Sequence, residues 1–280
     1  MKNFRQIKEI ITGTKVSDGD GVQLTRIIGT ENLDMLDPFL LLDAFGSDIP
    51  QDYIGGFPPH PHRGFETVTY MLAGKMRHKD SAGNAGVIES GDVQWMRAGK
   101  GIVHSEMPEQ EEGLLAGLQL WVNLPASHKM VEPEYQELSK NQIPVELRSD
   151  TARIKVIAGK TNNGTQGVVK NDLVNPIYWD IQLDSGSEFT DSLPQDHNAF
   201  IYVIEGALSI SDQEMLLVKG ELAILSFGNE VKIKANADSR FILVAGKPLN
   251  EPVARGGPFV MNTREEIEQA FADYKSGALA

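Results

Sequence analysis

Two pairs of ligand-capable side chains recur at the same spacing in the first half of the chain. His60 and His62 flank one proline, and His104 and Glu106 flank one serine. In an extended strand, residues two positions apart point to the same face, so each pair can reach a single point. Imidazole nitrogens with a carboxylate oxygen suit a divalent first-row metal such as Fe(II), Mn, Ni, Cu or Zn. Two such pairs on neighbouring strands predict a metal site with positions left open for a substrate or oxygen.

The spacing alone leaves the carboxylate ligand undecided. Glu66 lies four residues past His62, so it competes with Glu106 for that role. The other histidines are expected to be solvated rather than functional, because they lie in a charged turn, a linker and a loop: His78, His128 and His197.

Composition excludes several classes of protein. The 280 residues include 39 acidic and 26 basic side chains, and the net charge of -13 argues against nucleic acid as a partner. The absence of cysteine removes disulfides, thiolate ligands and cysteine nucleophiles. The N-terminus lacks the apolar core of a signal peptide, and the apolar run 39–42 is too short to cross a bilayer. We therefore expect a soluble, cytoplasmic protein without membrane contacts.

The elements that must position the candidate ligands are short strands. Glycine occurs 27 times and proline 14 times, and turn residues separate brief apolar stretches. The segment 18–21 (Asp-Gly-Asp-Gly) predicts a hairpin turn. Residues 125–145 suit a linker between two barrels or sandwiches. At the C-terminus, Thr263 and Glu266 form a capping box for one helix that ends near Gly277.

The two halves of the chain can be aligned as an internal repeat. Residues 70–76 match 202–208 at an offset of 132, Asp80 then falls on Asp212, and Gly91 falls on Gly220 at an offset of 129. At these offsets the counterparts of His60, His62, Glu66, His104 and Glu106 are Ser192, Pro194, Asn198, Ile233 and Ala235. The second half thus lacks the ligands, and an active site is expected only in the first half.

Four segments carry a family resemblance. Residues 59–67, 91–96, 99–107 and 256–262 resemble motifs of the pirin family, and the similarity extends over nearly the whole chain. The resemblance implies an all-β fold of two cupin (jelly-roll) β-barrels in tandem with a short C-terminal helix. It implies a metal-binding cupin domain at 1–130. It also implies a second cupin domain at 131–280 that lacks metal ligands and ends in a helix at 263–276.

The resemblance also selects the ligands. In pirins the metal is held by residues that correspond here to His60, His62, His104 and Glu106, which leaves Glu66 as a residue that supports the ligands from outside the set. The general cupin pattern has proline where this chain has Arg97.

Some pirin-like proteins are quercetin 2,3-dioxygenases, so the resemblance implies a metal-dependent dioxygenase that opens a flavonol with O2. Fe(II) is the favoured metal, with Mn, Ni, Cu or Zn as alternatives, and Glu106 is the candidate general base. A metal- or redox-sensing regulator that binds another protein is the alternative, and a barrel with a purely structural metal is a third reading.

Overall fold

The computed structural model describes residues 3–211, 213 and 215–280, so Asp212, the predicted partner of Asp80 in the repeat, lies outside the described residues. The first twelve strands are β1 (Ile7–Thr12), β2 (Thr14–Asp18), β3 (Val22–Ile28), β4 (Phe39–Ser47), β5 (Phe57–His62), β6 (Phe65–Ala73), β7 (Lys75–Asp80), β8 (Ala85–Glu89), β9 (Val93–Arg97), β10 (Ile102–Pro108), β11 (Leu115–Asn123) and β12 (Glu134–Leu138). The remaining elements are β13 (Val145–Arg148), β14 (Ala152–Ala158), β15 (Ile177–Leu183), β16 (Glu188–Ser192), β17 (Asn198–Glu205), β18 (Ala207–Ile210), β19 (Leu216–Val218), β20 (Glu221–Leu225), β21 (Glu230–Ala235), β22 (Ser239–Gly246), β23 (Ala254–Gly256), β24 (Phe259–Met261) and α1 (Arg264–Ser276).

One compact unit, the first barrel, consists of Thr14–Met35, Phe39–Lys140 and Leu249–Ala280. Its seven-stranded sheet has the order β12-β9-β6-β11-β4-β3-β2, and its four-stranded sheet has the order β5-β10-β7-β8. The predicted turn at 18–21 joins β2 and β3 as a hairpin, and Gly19 and Gly21 adopt positive φ angles of 58° and 87° there.

The other unit, the second barrel, consists of the chain up to Gly13, Leu36–Pro38 and Asn141–Pro248. Its sheets have the orders β1-β20-β17-β22-β15-β14-β13 and β16-β21-β18-β19. Each sheet of one barrel therefore has a counterpart of the same size in the other, and the strand order differs only at one edge, where β12 in the first barrel corresponds to β1 in the second. The predicted all-β fold of two cupin barrels with one C-terminal helix is confirmed.

The compact units differ from the predicted ranges 1–130 and 131–280. Strand β1 pairs with β20 in the second barrel, although it belongs to the N-terminal end of the chain. Strand β12, which lies inside the predicted linker, pairs with β9 in the first barrel. Helix α1 contacts β23 and β24 in the first barrel. An edge strand is stabilised by backbone hydrogen bonds to whichever sheet offers a free edge, and sequence pattern does not specify which sheet that is.

The interiors of the two barrels differ in chemistry. The second barrel encloses a cluster of buried apolar residues that comes from both of its sheets, including Trp179, Phe189, Ile201 and Leu243. The first barrel has smaller apolar clusters, such as the one around Phe45, and buries imidazole and carboxylate groups between its sheets. Burying such groups is unfavourable unless they find partners, and the first barrel carries this cost at its three buried histidines and Glu106.

Helix α1 begins and ends as its sequence predicts. The Thr263 hydroxyl accepts a hydrogen bond from the Glu266 amide at 3.2 Å, and the Glu266 carboxylate accepts one from the Thr263 amide at 2.9 Å. Gly277 ends the helix in the left-handed region with φ of 76°. No helix in the described part of the chain is long and apolar enough to cross a membrane.

The capping box gives a stability prediction. We expect Thr263→Ala to lower the free energy of unfolding by about 1 kcal/mol, because the Glu266 amide loses its acceptor. Thr263 is exposed, so the change removes the cap without opening a cavity. Guanidinium denaturation followed by circular dichroism measures the loss, and an unchanged midpoint would show that the cap does not contribute.

Candidate metal centre

Three imidazoles meet on the four-stranded sheet of the first barrel. His60 and His62 alternate along β5, and His104 on the adjacent β10 is the direct register partner of His60. Ring nitrogens of the three side chains lie within 4.8 Å of one another. The ring centroids of His104 lie 4.5 Å from His60 and 5.0 Å from His62. Strand pairing thus brings together the three histidines that the sequence predicts as ligands.

The donor nitrogens fit a transition-metal ion. His60 Nδ1 lies 2.8 Å from the Pro58 carbonyl oxygen, to which it donates, so Nε2 is the ring nitrogen that faces the other imidazoles. That Nε2 lies 3.0 Å from His62 Nε2. Two nitrogens that bind one ion at about 2.1 Å and at a right angle are about 3.0 Å apart. Both ring nitrogens of His104 are buried and lack a hydrogen-bond partner among the described residues. The group therefore fits a metal better than it fits a hydrogen-bond network.

The protonation states favour metal binding as well. Burial lowers the pKa of His62 well below its ordinary value, and the neighbouring His104 and His60 lower it further. Burial, with His60 and His78 nearby, lowers the pKa of His104 to about 3. Both imidazoles are therefore neutral near pH 7, which is the form that binds a metal.

Glu106 lies beside the three histidines but is not a member of the group whose donor atoms converge. It is 4% exposed, and Thr69 Oγ1 lies 2.9 Å from its Oε1. Burial raises the pKa of Glu106, while His60 and hydrogen bonds from Thr69 and Gln119 act in the opposite direction. The carboxyl is held by neutral side chains, so its position depends on hydrogen bonds rather than on an ion pair with Lys or Arg.

Glu66 has partners of its own. Trp95 Nε1 donates to Glu66 Oε2 at 2.8 Å, and Arg97 Nε donates to Glu66 Oε1 at 2.9 Å. Arg97 also reaches Glu134 at 2.8 Å. The arginine that stands where the general cupin pattern has proline thus forms an ion pair with a carboxylate that is 1% exposed. Glu66 and Arg97 join β6, β9 and β12, and Glu66 does not belong to the three-histidine group.

Two of the histidines that the sequence assigns to solvent are buried. His78 is 1% exposed on β7, where it is the register partner of Glu106, and its Nε2 lies 2.7 Å from Glu137. His197 is 4% exposed in the second barrel, and its carbonyl accepts a hydrogen bond from the buried Arg5. The prediction that these two histidines are solvated was wrong. Their polar neighbours in the sequence suggested an exposed segment, but side chains next to one another in the chain point in different directions, so a histidine between exposed residues can be buried.

A cavity of about 760 Å³ opens beside the histidines and is lined by His60, His62 and Glu106. Its apolar walls include Leu24, Leu41, Phe45 and Trp121. The Trp121 ring also contacts His62, with 5.3 Å between the ring centroids. The lining thus combines these apolar side chains with polar and charged ones, such as Arg26, Asp43 and Arg255.

The sequence did not predict a polar row across this cavity. Four neighbouring strands place Arg26, Asp43, Gln119 and Thr69 in consecutive register. Arg26 forms a bidentate ion pair with Asp43 at 2.9 and 2.7 Å. One signal in the sequence could have indicated this row. Asp43 directly follows the apolar run 39–42, at a position where a strand buried on both faces would have another apolar residue.

The second barrel shows what replaces the site. Its register pairs Phe189 with Ile233 where the first barrel pairs His60 with His104. By the same register Asp191 stands at the place of His62, and the Arg148 guanidinium binds its carboxylate. The sequence alignment had assigned Ser192 to His60 and Pro194 to His62, and both assignments were therefore wrong by three residues. The loop between β16 and β17 has five residues, whereas the loop between β5 and β6 has two, so a single offset cannot hold across both.

These features define a two-barrel protein of the cupin class with one three-histidine group among its described residues. The family model described as pirin matches residues 21–122, and the model described as the pirin C-terminal cupin domain matches residues 178–280. The chain is 50% identical over 273 residues to a pirin-like protein of Caulobacter vibrioides and covers 98% of both sequences. The chain belongs to the pirin family.

Solved structures show the same architecture. The crystal structure of a quercetin 2,3-dioxygenase from Acinetobacter baumannii matches with a TM-score of 0.91 and 35% identity, and the match covers 99% of each chain. A bacterial pirin from Escherichia coli in complex with nickel(II) matches with a TM-score of 0.65 and 20% identity over 89% of this chain and 99% of that one. At 20% identity, the match to the bacterial pirin shows a similarity of fold alone.

Proposed function

We propose that this chain is a metal-dependent dioxygenase of the pirin type that opens a flavonol such as quercetin with O2. The observation that carries the proposal is the three-histidine group, two members of which line a cavity of about 760 Å³ that also has apolar walls. Such a volume lies within the range of small-molecule sites. The likeness to the quercetin 2,3-dioxygenase of Acinetobacter baumannii supports this substrate class. We place the reaction in the cytoplasm, as the sequence predicts.

We further propose that His60, His62, His104 and Glu106 hold one divalent transition metal, with Fe(II) first and Mn, Ni, Cu or Zn as alternatives. The neutral imidazoles and the absence of thiolate support this set. The nickel(II) complex of the bacterial pirin supports a metal in this family of folds. When bound, such an ion supplies Lewis-acid chemistry that favours the ionised form of a flavonol hydroxyl.

The chain's own residues contribute binding and proton transfer. Trp121 offers an aromatic face at the cavity wall, beside His62 and Phe65, against which a flat ring can pack. The apolar walls exclude water from the ring that reacts. Glu106 lines the same cavity, and in the state in which its carboxylate is not bound to the metal it accepts the proton of the substrate hydroxyl.

The test is flavonol turnover by protein loaded separately with Fe(II), Mn(II), Ni(II), Cu(II) and Zn(II). We expect metal-dependent loss of quercetin with O2 consumption and carbon monoxide release in equal amounts. His104→Ile, which removes a ligand, should lower the rate by about 100-fold or more. If no metal supports quercetin consumption, the dioxygenase proposal is wrong. Capture of another protein that chelation abolishes, without turnover, would support the regulatory alternative instead.

A further inference from the structure

Three polar side chains form a hydrogen-bonded group inside the first barrel. Thr69 Oγ1 lies 2.9 Å from Glu106 Oε1 and 2.6 Å from the side-chain oxygen of Gln119. Thr69 and Gln119 are direct register partners on β6 and β11, whereas Glu106 comes from β10 in the opposite sheet. The group therefore joins the two sheets at the level of the histidines.

The geometry restricts the Glu106 carboxylate. A threonine hydroxyl has one hydrogen to donate, and here two oxygen acceptors lie within its reach. Thr69 lies within hydrogen-bond distance of both side-chain oxygens, so it links the Glu106 carboxylate to Gln119. With Oε1 bound in this way, rotation of the carboxylate about its last side-chain bond is restricted. Its orientation toward the histidines is then set by Thr69 and Gln119 rather than by Glu106 alone.

The second barrel acts as an internal comparison. Its register pairs Ile201 with Leu243 where the first barrel pairs Thr69 with Gln119. Ala235 stands at the place of Glu106, two residues after Ile233 on β21. These three residues are buried in the apolar core of that barrel. The barrel without the histidines therefore replaces the whole hydrogen-bonded group, which shows that this fold does not need polar residues there.

We propose that Thr69 and Gln119 are positioning residues that orient the Glu106 carboxylate for the metal held by the histidines. The inference rests on the metal site of the proposed function, and it assigns to Thr69 and Gln119 a role in metal affinity and coordination geometry. Residues that hydrogen-bond a metal ligand commonly change metal affinity by 10- to 100-fold when they are replaced.

The experiment measures Co(II) binding by competition with a chromophoric chelator, together with the visible spectrum of the Co(II) protein. We expect Thr69→Val and Gln119→Leu to weaken Co(II) binding about tenfold and to alter the spectrum. Thr69→Ser keeps the hydroxyl and should restore affinity to within about twofold of the unchanged protein. Thr67→Val is the matched control, because Thr67 is equally buried two residues earlier on the same strand. It should leave affinity and spectrum unchanged.

A double-mutant cycle separates positioning from a general structural effect. In protein that already carries Glu106→Ala, Thr69→Val should change Co(II) affinity by less than about twofold, because there is no carboxylate left to orient. A full-sized effect of Thr69→Val in that background would overturn the inference, as would an unchanged affinity and spectrum in Thr69→Val alone. No flavonol enters this experiment. Absence of quercetin turnover would therefore contradict the proposed function without affecting this result.

Discussion

Replacement of His104 by isoleucine is expected to lower Co(II) affinity by at least about 100-fold, since it removes one of three converging imidazoles. The same change should leave the metal-free protein equally stable or raise its free energy of unfolding by about 1 kcal/mol. The reason is that His104 has two buried ring nitrogens without a hydrogen-bond partner among the described residues. Isoleucine already stands at this register position in the second barrel, as Ile233.

The opposite signs make this prediction specific to a metal ligand. Metal affinity is measured by chelator competition, and stability by chemical denaturation of metal-free protein. His128→Ala is the control, because His128 lies in a short turn outside the three-histidine group. A large loss of stability in metal-free His104→Ile protein, with metal affinity unchanged, would show that His104 has a structural role instead.

Lys129→Met is expected to lower the free energy of unfolding by about 3 kcal/mol. The Lys129 ammonium donates to the Gly64 carbonyl at 2.7 Å, to Asn123 Oδ1 at 2.7 Å and to the Val260 carbonyl at 3.0 Å. The side chain is 1% exposed, and burial lowers its pKa to about 8, so it is charged at neutral pH. Methionine fills similar space but leaves three buried oxygens without this donor.

Lys100→Met is the matched control for that experiment. Lys100 is 45% exposed and lies 2.6 Å from Glu132, which is 78% exposed. Exposed pairs of this kind contribute about 0–1 kcal/mol. Chemical denaturation should therefore separate the two substitutions clearly. Equal losses in both variants would mean that the three buried hydrogen bonds of Lys129 contribute no more than a surface ion pair.

The histidine group could be predicted from the sequence because the spacing of neighbouring residues is enough to place two of its members together. His60 and His62 lie two residues apart on one strand, and strand alternation is enough to place them on one face. Pairing of β5 with β10 then brings in His104, and that pairing follows from the repeated barrel topology. The ligand predictions that concern Glu106 stay predictions, since its carboxylate lies outside the converging group.

The polar row could not be predicted in the same way. Its members, Arg26, Asp43, Gln119 and Thr69, come from four strands and are separated in sequence by 17 residues or more. Each alone is typical of a polar position in a half-buried strand, and only strand register brings them together. The same limit applies to the edge strands. The predicted ranges place β1 in the first barrel and β12 in the second, whereas each pairs with the other barrel's sheet. Backbone pairing at a sheet edge depends little on side-chain identity.

An anomalous-difference map from crystals of the Co(II)-loaded protein tests the proposed metal site directly. The proposed metal site predicts one strong peak in the first barrel, about 2.0–2.3 Å from a nitrogen of His60, His62 and His104 and from an oxygen of Glu106. A peak elsewhere in the chain, or Co(II) bound without the three histidines, would contradict it.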